Sequence, residues 1–127
     1  MINGIEHAAI AASNVEALAD WYVYVLGFTI NYKSPNAIFV RANDGSMIEI
    51  IHAAEDRGQQ TMKTQGLRHL ALAVSDFDSA YARLREKQVS FVSEPQESKG
   101  NKVVFFSDPE GNYLHLIQRA IPLPASI

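Results

Sequence analysis

Three histidines and one glutamate interrupt apolar segments at spacings that recur along the chain. His7 and His69 are separated by 62 residues, and Glu49 and His115 are separated by 66 residues. Because side chains alternate between the two faces of a strand, each of these residues lies opposite in phase to the bulky apolar residues beside it. A single polar residue in a strand is usually structural, but four in the same phase at repeat-related positions indicate a shared site.

The side chains of this set predict a metal site. The sequence has no cysteine, so any metal ion must be held by nitrogen and oxygen ligands. Three imidazoles and one carboxylate suit zinc, nickel, manganese, cobalt or iron better than calcium or magnesium, which prefer oxygen ligands. A divalent ion of this kind acts as a Lewis acid beside a carbonyl group, and Glu49 is the candidate base for a proton on the neighbouring carbon.

An internal repeat supplies the elements that would position these residues. Residues 4–11 align with residues 66–73, both in the order Gly, apolar, charged, His and an apolar run. Ser13 then precedes Glu16 by three residues, the spacing of a helix capping box, and the second copy repeats this spacing. Apolar residues at three- and four-residue intervals predict one amphipathic helix per copy, and Gly27 is placed to end the first helix.

Each predicted helix is followed by three short predicted strands, so both copies have the order β-α-β-β-β. Turn signals separate these strands, among them Asn43-Asp44-Gly45 and Asp108-Pro109-Glu110-Gly111. We therefore predict an α+β fold in which two tandem βαβββ modules form a curved mixed sheet around a central metal site, with the helices outside. The predicted strands after the helices are residues 28–33, 37–42 and 47–52 in the first copy, and 90–92, 102–107 and 112–118 in the second.

Length and apolar content predict one domain. The chain has 127 residues and a hydrophobic content of 47%, which is enough for a core. Within this domain we expect module one at about residues 1–52, a polar linker at 53–65, module two at about 66–118 and a tail at 119–127. Prolines in the tail make regular structure there a poor prediction, so we expect it to be a packing or partner-contacting extension.

The charge balance and the apolar pattern exclude two classes of partner. Eleven basic and 14 acidic residues give a net charge of −3, which is unsuited to binding a phosphate backbone. No apolar run is long enough to span a membrane, and the first ten residues lack the pattern of a signal peptide. We therefore expect a cytoplasmic protein that binds a small molecule and neither nucleic acid nor membrane, although the lack of cysteine would also suit an oxidising compartment.

Three aromatic residues are weaker candidates for the wall of a substrate pocket. Tyr113 shares the strand phase of His115, and Phe106 and Trp21 lie in neighbouring predicted elements. Core packing is the favoured interpretation of all three. His52 lies outside the strand phase of Glu49, so we expect it to be structural or exposed.

Short motifs in a fixed order cover the chain from Ile5 to Gln118 and resemble the vicinal oxygen chelate superfamily, the group of glyoxalases, bleomycin-resistance proteins and extradiol dioxygenases. The order is characteristic of the superfamily and not of one reaction. The motifs are His7-Ala-Ala-Ile-Ala, Trp21-Tyr22 before Val25-Leu26-Gly27-Phe28, Met47-Ile48-Glu49-Ile50, Gly66-Leu67-Arg68-His69, Leu84-Arg85-Glu86-Lys87 and Phe106-Ser107-Asp108-Pro109-Glu110-Gly111-Asn112.

The resemblance implies metal ligands on the first and last strands of each module. In metal-dependent members these positions match His7, Glu49, His69 and His115. The last position is usually a glutamate in glyoxalase I and methylmalonyl-CoA epimerase, which leaves Glu49 as the one carboxylate base here. Bacterial glyoxalase I typically has an arginine and an asparagine where this chain has alanines, at residues 11 and 53, so the resemblance does not decide whether glutathione is used.

Three functions are consistent with this resemblance. The first is a metal-dependent lyase or isomerase of the glyoxalase type that acts on a small carbonyl or hydroxycarbonyl substrate by stabilising an enolate. The second is a ring-cleaving extradiol dioxygenase, although such enzymes usually have two histidines and one carboxylate. The third is a non-catalytic protein that binds a drug or metabolite, as bleomycin-resistance proteins do. The resemblance also implies a homodimer, with the site either within one chain or shared by two.

Overall fold

The computed structural model describes residues 1–123 of the chain. The backbone divides into two compact units, a first unit at Met1–Gln59 and a second unit that begins at Gln60. The division falls inside the predicted linker. Each unit contains one helix and one sheet, so the predicted α+β class and the two modules are confirmed.

The first unit has the predicted β-α-β-β-β order. Its sheet has the strand order β1-β4-β3-β2, in which β1 and β4 are parallel and the other neighbours are antiparallel. The first and last strands are therefore neighbours, as the placement of the candidate ligands requires. The elements are β1 at His7–Ala12, α1 at Val15–Tyr24, β2 at Thr29–Lys33, β3 at Ala37–Arg41 and β4 at Met47–His52.

One face of this sheet forms the core of the first unit with α1. The helix buries an apolar stripe that includes Leu18 and Tyr22, and the sheet buries alternate residues such as Val40 and Ile50. The alternation follows the pleat of the strands, so the residues between these core positions point to the opposite face. The remaining buried residues that α1 and the sheet contribute to this core are Ile10, Ala12, Val15, Ala19, Ile38 and Ile48.

The start of α1 differs from the prediction by one residue. Asn14, and not Ser13, is the N-cap, because its backbone is extended and its side chain accepts a hydrogen bond from the N–H of Ala17. Glu16 then lies in the first turn of the helix, where its negative charge interacts favourably with the positive end of the helix dipole. The predicted end is confirmed: Gly27 has φ +80°, a left-handed conformation that glycine adopts without strain.

The second unit has the same order with one additional strand. Its main path is β5-β9-β8-β6, with β5 and β9 parallel, and β7 pairs with β8 beside that path. The elements are β5 at His69–Ala73, α2 at Phe77–Glu86, β6 at Ser90–Phe91, β7 at Gln96–Ser98, β8 at Asn101–Ser107 and β9 at Tyr113–Gln118.

Strand β7 was not predicted, because Gln96–Ser98 is polar and carries no apolar alternation. It exists because Lys99 and Gly100, with φ of 55° and 82°, make a tight turn that returns the chain along β8. Residues 96–107 therefore form a hairpin in which β7 pairs with β8. Gly100 is also required sterically, since a β-carbon there would lie 2.8 Å from that of Ala120.

The core of the second unit is formed by α2 and one face of its sheet. Asp76 caps the helix by accepting a hydrogen bond from the N–H of Ser79, so the cap is again one residue later than predicted. The side chain of Gln118 on β9 accepts a bond of 2.6 Å from the N–H of Phe77, which ties the start of α2 to the sheet. Buried apolar residues of this core are Phe77, Leu84, Val89, Val104, Phe106, Leu114 and Leu116.

The segments outside the two sheets have little regular structure. The predicted linker, residues 53–65, contains no strand or helix, although Thr61 and Thr64 form a turn. Of the predicted tail, Ala120 is held by a hydrogen bond to the side chain of Asn101, and residues 124–127 lie outside the described part of the chain. In residues 1–123, neither helix is long and apolar enough to cross a membrane.

Candidate functional site

The first and last strands of the first unit bring His7 and Glu49 to one face of the sheet. Ala9 on β1 is the register partner of Glu49 on β4, and His7 precedes Ala9 by two residues, so the three side chains point the same way. Ile10 of β1 points to the other face, where it is buried in the core. We call His7 and Glu49 the first donor pair.

The spacing of the first donor pair fits two ligands of one ion. Nε2 of His7 is 3.5 Å from Oε1 of Glu49, and the two side chains are 35% and 25% exposed. Two ligands at about 2.1 Å from a shared ion would be about 3.0–3.4 Å apart. Nδ1 of His7 lies 2.9 Å from Oε1 of Glu6. Because a carboxylate accepts hydrogen bonds, Nδ1 of His7 donates to Glu6, and Nε2 is the ring atom that faces Glu49.

The second unit repeats this arrangement with two histidines. Ala71 on β5 is the register partner of His115 on β9, and His69 precedes Ala71 by two residues. The rings of His69 and His115 have centroids 4.7 Å apart and planes at 65°. We call His69 and His115 the second donor pair.

The environment of His115 favours the neutral imidazole. Its Nδ1 lies 3.2 Å from the carbonyl oxygen of Leu116, which can only accept, so Nδ1 carries the proton and Nε2 is free to act as a ligand. His115 is 9% exposed. Burial lowers the pKa of His115 below its ordinary value, and the hydrogen bond to Leu116 opposes this shift only in part. The neutral form is the one that binds metal ions.

The structure thus brings each predicted pair together within its own unit. Over residues 1–123, no group of three or more His, Asp or Glu side chains is arranged within either unit to hold a metal ion. Each unit therefore contributes two donors, and a metal ion held by all four residues stays a prediction.

Two aromatic residues that the sequence analysis did not single out lie beside the donor pairs. Phe39 on β3 is the register partner of Glu49, and Phe105 on β8 is the register partner of His115. Both are half-buried on the same face as the donors. The sequence could have indicated both, because residues equally far from the centre of a hairpin turn lie opposite each other. Phe39 and Glu49 are each five residues from Asp44. Phe105 and His115 are each five residues from Glu110.

The weaker pocket candidates lie in different places. Tyr113 is the register partner of His69 and is half-buried on the same face as the second donor pair. Phe106 is fully buried at 0% exposure on the helix side of its sheet, where it packs near Phe91, so it is a core residue. Trp21 is half-buried on α1 and makes an edge contact with Tyr22, away from the face that carries the donors. His52 is exposed at the end of β4, as expected.

The sequence of this chain matches a family model and is similar to known proteins. The family model described as Glyoxalase/Bleomycin resistance protein/Dioxygenase superfamily matches residues 4–116. The chain is 30% identical over 129 aligned positions to the uncharacterized protein YwkD of Bacillus subtilis (strain 168), covering 94% of this chain and 99% of that protein. It is 24% identical to Biphenyl-2,3-diol 1,2-dioxygenase 3 of Rhodococcus globerulus, covering 88% of this chain and 61% of that enzyme.

A solved structure shows the same fold. The crystal structure of a glyoxalase family protein from Enterococcus faecalis superimposes with a TM-score of 0.78 at 27% identity, covering 92% of this chain and 98% of that one. The similarity therefore extends over both units of the chain.

Proposed function

Since this chain belongs to the Glyoxalase/Bleomycin resistance protein/Dioxygenase superfamily, we propose that it is a metal-dependent lyase or isomerase of the glyoxalase type. Its substrate in this proposal is a small carbonyl or hydroxycarbonyl compound. The observation that carries the proposal is the repetition of a donor pair at equivalent register positions in the two units. We propose His7, Glu49, His69 and His115 as ligands of one divalent ion, either zinc, nickel, manganese, cobalt or iron.

The donor set fits such an ion by its chemistry. The side chains supply nitrogen and oxygen donors only, and both His7 and His115 have their Nδ1 occupied by an acceptor, so Nε2 is the free ligand atom. When bound, a divalent ion would lower the energy of negative charge that develops on a carbonyl oxygen.

Glu49 is the residue that would move the proton. It is the one carboxylate in the two donor pairs, and its side chain is partly exposed. In the proposed reaction Glu49 takes a proton from the carbon next to the carbonyl group. In an isomerisation of a hydroxycarbonyl it returns that proton to the former carbonyl carbon, while the hydroxyl proton moves to the former carbonyl oxygen. His7 beside it is oriented by the hydrogen bond from its Nδ1 to Glu6.

Proton exchange at carbon tests this role directly. Wild-type protein loaded with each of the five ions in turn is incubated with a panel of small hydroxycarbonyl compounds in D₂O, and deuterium incorporation at carbon is followed by NMR. We expect incorporation with at least one ion and a loss of about 10²-fold or more in Glu49→Gln at saturating ion. His52→Ala, on the same strand but outside the pair, is the matched control and should exchange as the wild type does. Absence of exchange with every ion, despite a bound metal, would contradict the proposal.

The similarity to Biphenyl-2,3-diol 1,2-dioxygenase 3 supports a second candidate, a ring-cleaving dioxygenase. The two functions separate by one measurement, because a dioxygenase consumes oxygen. Fe²⁺-loaded protein with a catechol in an oxygen electrode should show no uptake if the chain is a lyase or isomerase. Bound metal with neither proton exchange nor oxygen uptake would favour a non-catalytic protein that binds a drug or metabolite.

We also propose a homodimer in the cytoplasm, as is common for this superfamily. Light scattering after size exclusion tests the assembly. Mixing His7→Ala and His69→Ala chains tests cooperation between subunits, since recovered exchange activity would mean that donor pairs from different chains act together.

A further inference from the structure

Phe105 contacts both imidazoles of the second donor pair. Its ring centroid is 4.6 Å from that of His115, with planes at 37°, and 5.3 Å from that of His69, with planes at 88°. The two contacts are a tilted stack and an edge contact, which are the favoured geometries of neighbouring rings. One side chain therefore limits the rotation of two candidate ligands.

His69 depends on these ring contacts more than the other histidines do. The Nδ1 atoms of His7 and His115 are each held by an oxygen acceptor. His69 is exposed, and over residues 1–123 no hydrogen bond or ion pair holds its ring, which contacts Phe105 and His115. Removing the Phe105 ring would leave His69 with the neighbouring imidazole alone.

Phe39 has the corresponding position in the first unit, with one difference. Its ring makes an edge contact with His7 at 5.3 Å and 79°, and a second edge contact with Tyr32 at 6.2 Å. Its register partner is Glu49, so it has a single imidazole to orient. The two units therefore differ in how many ligand rings one phenylalanine holds.

We infer that Phe105 is a positioning residue for both imidazoles of the second donor pair, and that Phe39 positions His7. The inference deepens the proposed function and rests on it, because positioning matters for a metal ligand set. Neither phenylalanine is a catalytic residue, since neither carries a group that reacts.

The first experiment uses metal-free protein and does not depend on the proposed function. NMR of the imidazole C–H groups is recorded for wild type, Phe105→Leu and Phe39→Leu. Phe105→Leu should shift the signals of His69 and His115 and leave His7 unchanged, and Phe39→Leu should shift His7 alone. Unchanged His69 and His115 signals in Phe105→Leu would overturn the inference whatever the protein does with metal.

The second experiment measures affinity for Co²⁺ from its visible absorption. Phe105→Leu should weaken binding about tenfold because two ring contacts are lost, and Phe39→Leu about threefold because one is lost. Phe105→Tyr keeps the ring and should bind within about twofold of wild type. Phe91→Leu is the matched control, because Phe91 is also half-buried but contacts Tyr81 and Phe106 instead of the donors. An equal loss in Phe91→Leu would overturn the inference.

A double-mutant cycle with His115→Glu separates positioning from general packing. With His115 replaced, Phe105 has only His69 to orient, so Phe105→Leu should then weaken Co²⁺ binding by about threefold and not tenfold. An undiminished tenfold loss would overturn the inference, because it would mean that Phe105 acts through packing. Failure of wild type to bind any of the five ions, together with the expected NMR shifts, would remove the proposed function and leave the positioning of the rings established.

Discussion

Glu49 and His115 have the same position in their respective sheets: Glu49 is the register partner of Ala9, and His115 is the register partner of Ala71. In both units the paired alanine follows a histidine by two residues. This position on the last strand therefore accommodates a carboxylate in one unit and an imidazole in the other, with the same first-strand neighbour.

The equivalence of the two positions predicts that a carboxylate can replace His115. His115→Glu should retain about one ion per chain and prefer Mn²⁺ over Zn²⁺ more than the wild type does, because carboxylates favour the harder ion. Elemental analysis after dialysis against equal concentrations of both ions measures the ratio. His52→Glu should leave the ratio unchanged, and His115→Ala should lose the ion. The prediction would be contradicted if His115→Glu bound as little metal as His115→Ala.

Glu6 is predicted to raise the metal affinity of the first donor pair through its contact with Nδ1 of His7. Groups that orient a ligating histidine typically contribute 10–100-fold to metal affinity, and the exposure of Glu6 favours the lower end. Glu6→Ala should therefore weaken Zn²⁺ binding by about tenfold in a chelator competition assay. Glu55→Ala removes an exposed charge from the linker and should have no effect. Equal losses in both variants would show that only net charge matters.

Most of the fold could be predicted because the sequence indicates two independent features, the phase of the strands and the positions of the hairpin turns. Strand phase identified His7 and His69 with their alanine neighbours, and the observed burial follows that alternation. The hairpin turns at Asp44 and Glu110 set the register of the strands that follow. The parallel pairing of the first and last strands of each unit, which brings the two donors of a pair together, comes from the structure and not from these patterns.

Other features depend on geometry that sequence patterns do not carry. Strand β7 has no apolar alternation and forms only because its turn aligns it with β8, so periodicity could not reveal it. The helix caps were displaced by one residue, because Ser13 and Asn14 are both good capping residues and only the backbone conformation distinguishes them. The roles of Phe39 and Phe105 required ring positions, since both are ordinary strand residues by type.

Asp76 predicts a pH dependence of stability at the start of α2. Hydrogen bonds from the N–H and hydroxyl of Ser79 lower its pKa below the ordinary value of 3.8. A lowered folded-state pKa contributes stability that is complete above the ordinary value and is lost as the pH falls through the lowered one. Asp76→Asn keeps a capping oxygen, as Asn14 does in the first unit, but cannot be protonated in this range.

The urea midpoint of wild type should therefore fall more between about pH 5 and about pH 3 than that of Asp76→Asn. The difference should be small, because the Asp76 carboxylate is exposed. Asp20→Asn, on the exposed side of α1, is the control, and its urea midpoint should change with pH as that of the wild type does. Parallel midpoints for wild type and Asp76→Asn would mean that the cap bond does not respond to the charge.

Gln88 predicts a stabilising substitution at the end of α2. It has φ of 59°, and the N–H groups of Gln88 and Val89 donate to the carbonyl oxygens of Arg85 and Leu84, the pattern that normally has glycine at the left-handed position. A residue with a β-carbon costs about 1 kcal/mol there, whereas the first unit has Gly27 after its helix. Gln88→Gly should therefore raise the free energy of unfolding by about 0.5–1 kcal/mol, or the Tm by about 2–4 °C. Gln88→Ala keeps the β-carbon and should bring no gain, so an equal rise in both variants would show that the Gln88 side chain, and not its backbone, is the source of the strain.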